Sequence, residues 1–301
     1  MKIRVGYGLG VRTTLNDDGF AQVVDALEQL RFDSLWVSER IGSEAPDPLV
    51  AMSFAAGRTK KLKFGMSVMV LPGRNPVILA KELATLDRLS NGRLLPAFGL
   101  GVADPHEQQA FGVAREERAK RFNEALEVIR ACWTQPSVTH HGTFFNYDDL
   151  RVQPKPFQNP PDVWLGGIAP SELKRVGRLA DGWLPSFVTP SDAEVGRIEI
   201  QRVAAEHERE IDPEHFGVLI PYAHGPLPDA VVKGLMSRRP DLDDISQLVP
   251  QGWLALQDSI KRFIDAGMSK FVVLPIVEPK TAHEWVDHLA VAADQLLPLQ
   301  N

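Results

Sequence analysis

Opposite charges follow directly on an apolar run in the segment DSLWVSER, whose last two residues are Glu39 and Arg40. If the run is a strand, both side chains lie at its carboxyl end, where a carboxylate can accept a hydrogen bond from a ligand or move a proton. A loop ion pair between Glu39 and Arg40 is the alternative, and these residues alone favour it. The two residues are therefore candidates for catalysis that need support from their surroundings.

The segment VWLGGIAPSEL places two glycines between an apolar run and a helix pattern that starts with a proline. Gly166 and Gly167 let backbone N–H groups gather around an anion at the positive end of a helix. A Gly-Gly turn without a chemical role is the alternative. We predict a phosphate-binding turn at these residues.

Glycines alternate with larger residues in the segment GYGLGVR near the start of the chain. Gly8 and Gly10 begin a dinucleotide-loop pattern, but Thr13 stands where G-x-G-x-x-G needs its third glycine. Two interpretations stay open: the glycines let a flat ligand approach the backbone, or they fit a tight layer of a barrel.

Other arrangements of reactive residues find little support in the sequence. His106 and Glu107 lack the second histidine of a metalloprotease helix, and His140 and His141 precede a glycine in a turn-like segment. The nucleophile elbow G-x-S-x-G is missing. Cys132 is the single cysteine, which excludes an intramolecular disulfide, and its apolar neighbours at helical spacing predict burial. We therefore predict no metal site and no serine hydrolase.

The composition is that of a globular chain with an acidic balance. The 301 residues are 44% hydrophobic and 24% charged, and 33 Lys and Arg residues face 39 Asp and Glu residues, giving a net charge of -6. This balance disfavours general binding to nucleic acid or to an anionic membrane. Without a stretch of about 18 apolar residues or a signal peptide, we expect a soluble cytoplasmic protein that forms one domain over residues 1–301.

Eight short β-rich runs alternate with eight longer helical patterns along the chain. The predicted strands span residues 3–8, 34–38, 62–70, 94–99, 163–166, 182–187, 217–222 and 271–275. The predicted helices span residues 20–30, 48–58, 76–89, 115–133, 171–179, 192–210, 256–266 and 282–296. Asp47 and Asn75 each precede a proline and are predicted to cap two of these helices. The alternation predicts an α/β fold of the (β/α)8 barrel type, whose active sites form at the carboxyl ends of the strands.

Two segments interrupt the alternation. Residues 135–161 are rich in proline and irregular, and residues 225–251 form a polar excursion with helical character. We predict that both are loop insertions, which in a barrel can cover the mouth.

Taken together, these segments resemble the bacterial-luciferase-like oxidoreductases, and in particular their coenzyme F-420-dependent actinobacterial branch. The resemblance is carried by residues 32–40 (FDSLWVSER), 61–94, 98–113 (FGLGVADPHEQQAFGV), 140–147 (HHGTFFNY) and 164–187 (WLGGIAPSELKRVGRLADGWLPSF). It covers most of the first two thirds of the chain, and the final third resembles the family chiefly through QGWLALQDSIKRFIDAGMSKFVVLP.

The resemblance implies a barrel that holds a flavin or deazaflavin ring over the end of the third strand. It implies a non-prolyl cis peptide bond between Ser67 and Val68 that bulges against the ring, and a position for Glu39 near the ring's polar edge. It also implies that the Gly166 turn binds the cofactor phosphate. The whole predicted cofactor site comprises Gly8, Glu39, Ser67, Val68, Val70, Gly99, Leu100, Gly101, Val102, Gly166, Gly167 and Ile168.

The chain departs from the family at two positions that matter for chemistry. The family's sugar-phosphate dehydrogenases carry a histidine after the strand-two carboxylate and a glutamate in the strand-four loop, whereas this chain has Arg40 and Val102. We therefore do not carry over their mechanism or their substrate. Glu39 and Arg40 remain the predicted catalytic residues.

The predicted function is hydride transfer between coenzyme F-420 and a small organic substrate that the sequence does not identify. Arg12, Arg40 and Arg74 each follow one of the first three strands and would form a basic rim for the acidic cofactor, unless they are simply solvated. An FMN-dependent luciferase-like monooxygenase and a non-catalytic flavin or deazaflavin carrier are the alternatives. A homodimer is left open.

Overall fold

The computed structural model describes residues 1–15 and 17–301, in which strands and helices alternate along the chain. The strands are β1 (Arg4–Leu9), β2 (Ser34–Val37), β3 (Lys63–Met66), β4 (Met69–Val70), β5 (Leu94–Leu95), β6 (Ala97–Gly99), β7 (Val138–His141), β8 (Asn146–Leu150), β9 (Trp164–Leu165), β10 (Gly182–Trp183), β11 (Gly217–Tyr222) and β12 (Lys270–Pro275). The α-helices are α1 (Asp17–Leu30), α2 (Pro48–Arg58), α3 (Pro76–Leu89), α4 (Pro105–Phe111), α5 (Arg118–Thr134), α6 (Pro170–Leu179), α7 (Pro190–Glu206), α8 (Asp229–Arg238), α9 (Trp253–Asp265) and α10 (Ala282–Leu296). Short 3-10 turns lie at Pro213–His215, Ile245–Gln247 and Leu297–Leu299.

The strands form a ring of eight positions. Parallel pairing gives the orders β11-β12-β1-β2-β3-β5 and β10-β9-β6-β4. β3 and β4 are two halves of one strand position, as are β5 and β6, so the two sheets continue into each other. Isolated parallel bridges between Trp183 and Phe216 and between Ser186 and Leu219 link the β10 segment to β11. The (β/α)8 barrel predicted from the sequence is therefore confirmed.

The two predicted helix caps are confirmed as well. The Asp47 carboxylate accepts hydrogen bonds from the backbone N–H groups of the second and third residues of α2, and the Asn75 side chain does the same for α3. Each helix then begins with a proline, which has no N–H to leave unpaired. These caps fix the points at which the loops after the second and third strand positions turn back toward the helical layer.

The amino-terminal end of the barrel is closed by a large ring and a buried ion pair. Trp36 fills the interior, where Cβ atoms at Gly6 and Gly65 would come within about 3 Å of Ser34 and Trp36. The Lys270 ammonium lies 2.7 Å from the Asp33 carboxylate and 6.0 Å from the Trp36 ring centroid. Because this end is packed solid, a ligand can enter only at the opposite end.

The two insertions lie at different places. Residues 135–161 hold the antiparallel hairpin β7–β8 and connect α5 to β9, so they lie at the amino-terminal end of the barrel. Gln158 of this insertion donates to the Asp87 carboxylate and to the Leu94 carbonyl, where β5 begins. Of the two insertions, the second, residues 225–251 with α8, reaches the mouth of the barrel. The expectation that an insertion can cover the mouth therefore holds for residues 225–251 and not for residues 135–161.

Of the helices in residues 1–15 and 17–301, none combines the length and the apolar character needed to cross a membrane.

Candidate functional site

A cavity of about 560 Å³ opens at the carboxyl ends of the strands. Its volume is that of a typical small-ligand site. Eleven of the residues predicted from the sequence line it: Glu39, Arg40, Ser67, Val68, Val70, Gly99, Leu100, Gly101, Val102, Gly166 and Gly167. Gly8 and Ile168 are not among its described lining residues. Gly8 faces the side chains of Val272 and Leu274 inside the barrel, and Ile168 is exposed.

Val68 occupies a central place in the wall between the third, fourth and fifth strand positions. The Ser67–Val68 peptide bond is cis, as the resemblance implied. A Cβ at Gly99 would lie 2.5 Å from a Val68 methyl carbon, and one at Gly166 would lie 3.7 Å from the other methyl carbon. Glycine at 99 therefore lets the neighbouring strand lie directly against Val68, which leaves a smooth apolar surface facing the cavity.

Glu39 is held by the segment that follows the cis bond. Its side chain is only 3% exposed, accepts the Val70 N–H at 2.6 Å and binds Arg74, which also donates to the Val70 carbonyl. Burial raises the pKa of the Glu39 carboxyl, although Arg74 and the Val70 N–H act in the opposite direction. The loop ion pair considered for Glu39 thus exists, but its partner is Arg74 and not Arg40.

Arg40 is left without a counter-charge. Its guanidinium lines the cavity, and its Nη1 is buried without a hydrogen-bond partner among the described residues. Of the three arginines expected at the rim, this is the one that lines the cavity: Arg74 is bound to Glu39, and Arg12 is exposed next to the lining residue Val11. A buried guanidinium nitrogen without a partner is costly, so this position favours an anionic ligand.

Arg118, at the start of α5, is a site residue that the sequence did not reveal. Its Nη1 donates to the carbonyls of Leu100, Gly101 and Val102 at 3.1–3.3 Å, which fixes the strand-four loop. Its Nε is buried and unpartnered in the described part of the chain. Three other basic residues lie within the segment AREERAKR, so nothing in the sequence singled out this one.

Glu107, on the unpredicted helix α4, connects two loops of the mouth. Its buried carboxylate accepts the backbone N–H groups of Ile41 and Gly42 at 3.0 and 2.9 Å. The loop that follows Arg40 is thereby tied to the loop that follows β6. Two consecutive N–H groups bound to one carboxylate make this a firm link.

The glycine turn after β9 is required by its backbone. Gly167 has φ +91°, a left-handed conformation that favours glycine, and a Cβ there would lie 2.9 Å from the Glu172 side chain. Its carbonyl accepts the Trp183 indole N–H at 2.9 Å. The turn precedes α6, whose first position has no side-chain cap. The Glu172 carboxylate in the first turn of α6 also lines the cavity, where Arg175 pairs with it.

A further carboxyl group, that of Glu278, lies beside the cavity in the loop that follows β12. Glu278 accepts the Thr13 hydroxyl at 2.9 Å and the backbone N–H of Gly10, a cavity residue. Burial raises the pKa of Glu278 to about 7. Its sequence neighbours gave no sign of a site, because Glu278 is a single acid in a loop.

Within residues 1–15 and 17–301, no three His, Cys, Asp or Glu side chains are grouped so that they could hold a metal ion. Cys132 is buried on α5, as predicted, and burial raises the pKa of its thiol.

Comparison with known proteins adds relatives of two kinds. The chain is 30% identical over 167 residues to an F-420-dependent glucose-6-phosphate dehydrogenase of Kineococcus radiotolerans, a match that covers 52% of this chain and 49% of the relative. The chain thus spans about half the length of the curated relatives that it matches. Among solved structures, an F-420-dependent secondary alcohol dehydrogenase superimposes with TM-score 0.81 at 22% identity, covering 100% of both chains. A monooxygenase from Streptomyces bottropensis superimposes with TM-score 0.78 at 20% identity, covering 99% of both.

Both solved structures share the barrel. At these sequence identities the similarity is one of fold. The family model of the luciferase-like monooxygenases matches residues 10–285, nearly the whole chain. This match includes every strand position from the second to the eighth and all the residues that surround the cavity. The chain therefore belongs to the luciferase-like monooxygenase family.

Proposed function

We propose that this protein is an oxidoreductase that transfers a hydride between coenzyme F-420 and a small organic substrate. The observation that carries the proposal is the pair of buried, unpartnered guanidinium nitrogens of Arg40 and Arg118 in the cavity wall. They fit a cofactor that carries a phosphate and an acidic tail, as F-420 does. The F-420-dependent relative from Kineococcus radiotolerans supports the same cofactor.

The described residues suggest how the cofactor would be held. Val68, packed against Gly99, provides an apolar support for a flat ring, and the turn at Gly166 and Gly167 provides backbone N–H groups for the phosphate. Arg40 would bind an anionic group through a charge-assisted hydrogen bond. Gly8 and Ile168 lie outside the cavity lining, so they would affect cofactor binding only indirectly.

The deazaflavin supplies the hydride chemistry when it is bound, and the protein orients it. Glu39 is held by Val70 and Arg74, and it keeps free lone pairs on both oxygens because each accepts one hydrogen bond. It positions the strand segment after the cis bond and can accept a hydrogen bond from the ring's polar edge. Because Arg74 neutralises it, we propose Glu39 as a positioning residue first and as a proton donor second.

An FMN-dependent monooxygenase is the second candidate function. The structural likeness to the Streptomyces bottropensis monooxygenase and the family to which the chain belongs favour it. FMN shares a tricyclic ring and a phosphate with F-420 but lacks the acidic tail. The number of anionic groups that the arginines must bind therefore distinguishes the two cofactors.

The test is a fluorescence titration of the protein with F-420 and, separately, with FMN. We expect F-420 to bind at least tenfold more tightly than FMN, and its affinity to fall as salt rises from about 0.1 to 0.5 M because the added ions screen the arginines. Equal or tighter FMN binding with substrate-dependent oxygen consumption would favour the monooxygenase. Tight F-420 binding without turnover of any tested alcohol, aldehyde or ketone would favour a carrier.

A further inference from the structure

The insertion at the mouth places an exposed arginine on the side of the cavity away from Arg40. Arg238, the last residue of α8, lines the cavity, and its guanidinium lies 5.4 Å from the centroid of the Phe187 ring. In the part of the chain that the structure describes, this guanidinium has no hydrogen-bond or ion-pair partner. A guanidinium that stacks on an aromatic face keeps its N–H donors free in its own plane, ready for a carboxylate or phosphate.

The neighbouring arginine fixes this arrangement. Arg239 is buried and donates to the Phe187 carbonyl at 2.9 Å and to the carboxylates of Asp192 and Asp241 at 2.6–2.9 Å. Asp192 in turn belongs to the capping box that starts α7. The insertion is thereby attached to the loop after β10 at the residue beside Arg238, so the free guanidinium has a fixed base.

The side chains that line the cavity at the ends of the sixth to eighth strand positions are apolar apart from Ser186. Phe187 follows β10, Leu219 lies in β11 and Leu274 lies in β12, and all three line the cavity. In the ring of eight strand positions, β10 is the sixth and lies opposite β2, the second, which carries Arg40 at its end. The cavity thus has two cationic ends with an apolar wall between the Arg238 end and the barrel interior.

We propose that Phe187, Leu219, Leu274 and Arg238 form a substrate subsite for an organic anion with an apolar body, whose carboxylate or phosphate binds Arg238. This rests on the proposed function, in which F-420 occupies the wall built by the second to fifth strand positions. An apolar acid fits this wall better than a sugar phosphate, because the three side chains that would contact its body offer no hydrogen bonds.

The test uses protein saturated with F-420, with saturation verified on each variant by fluorescence quenching. Phenylacetate and its neutral analogue phenylacetamide are titrated into this complex by calorimetry, with phenyl phosphate as a third probe. We expect the wild type to prefer the acid by at least tenfold, Arg238→Gln to abolish the preference, and Arg238→Lys to keep part of it, since a charge-assisted hydrogen bond of about 1.5–3 kcal/mol corresponds to roughly ten- to a hundredfold. The control Lys233→Gln, on the same helix and exposed, should change nothing.

Equal binding of the acid and the amide to the wild type, or a preference that survives Arg238→Gln, would overturn the subsite. A loss of F-420 affinity in Arg238→Gln with unchanged phenylacetate binding would also overturn it, because Arg238 would then belong to the cofactor. If the wild type fails to quench F-420, the proposed function fails instead, and the same titrations on the cofactor-free protein decide the subsite by the same criteria.

Discussion

Charged side chains differ in their hydrogen-bond and ion-pair partners between the two ends of the barrel. At the amino-terminal end, Lys270 is paired with Asp33, and the Arg93 guanidinium donates to the Thr59 hydroxyl and to three backbone carbonyls. At the mouth, Arg40 and Arg118 each leave a buried guanidinium nitrogen without a partner in the described residues. Buried polar groups in stable structures are normally satisfied. The difference indicates that one end was shaped for folding and the other for a ligand.

The largest effect should come from breaking the pair at the closed end. Lys270→Met leaves the buried Asp33 carboxylate with two partly exposed cations, Arg4 at 3.6 Å and Lys63 at 4.0 Å. We expect a loss of up to about 3–5 kcal/mol in the free energy of unfolding, measured by urea denaturation. Lys63→Met is the matched control, because its ammonium lies 4.0 Å from the same carboxylate and is 44% exposed. It should cost less than about 1 kcal/mol.

A smaller loss in Lys270→Met than in its control would remove the contrast between the two ends, since the buried pair would then contribute no more than a surface contact.

A middle-sized effect is expected at the link between the mouth loops. Glu107→Gln keeps one acceptor for the N–H groups of Ile41 and Gly42 but removes the charge that both bind. We expect about 1.5–3 kcal/mol of lost stability together with weaker F-420 binding, because the loop after Arg40 is released. Glu116→Gln, an exposed neighbour, is the control. Unchanged F-420 affinity in a destabilised Glu107→Gln protein would make the link purely structural.

The smallest effect is a pH dependence at Glu278. Burial raises its pKa to about 7, above the ordinary value of 4.5, so the neutral carboxyl favours the folded state. The stability that it contributes is complete below about pH 4.5 and is lost as the pH rises through 7. Relative to Glu278→Gln, the wild type should therefore lose stability between pH 5 and pH 8 in thermal unfolding. Parallel stability curves for the two proteins would contradict the raised pKa.

The sequence predicted the barrel well because its signals are local. The bounds of α2, α3, α10 and β11 agree residue for residue with the prediction, since caps such as Asp47 and the periodicity of apolar residues act within one element. The fifth and sixth strands were predicted to be longer than they are. β9 and β10 have two residues each, and the irregular backbone beyond them lines the cavity. Helix α4 and the hairpin β7–β8 were not predicted, because short polar elements carry little periodic signal.

The site was harder to predict wherever it depends on pairing. A loop ion pair between Glu39 and Arg40 was the alternative that their adjacency favoured. Both residues follow the end of β2, and Glu39 instead binds Arg74 from a different loop. Arg118 and Arg238 could not be recognised, since the choice among neighbouring cations is made by tertiary packing. The glycines at 99, 166 and 167 were found because a backbone requirement leaves a mark on the residue type itself.

The most direct test of the account is Arg40→Gln, measured for stability and for F-420 affinity in the same preparation. If the unpaired guanidinium is there for the cofactor, removing it should leave the unfolding free energy of the cofactor-free protein unchanged or higher, because an uncompensated charge disappears. The F-420 dissociation constant should rise by about ten- to a hundredfold, while Arg12→Gln, at an exposed arginine outside the cavity, changes neither quantity. A destabilised Arg40→Gln protein that binds F-420 as tightly as the wild type would contradict a cofactor-binding role for Arg40.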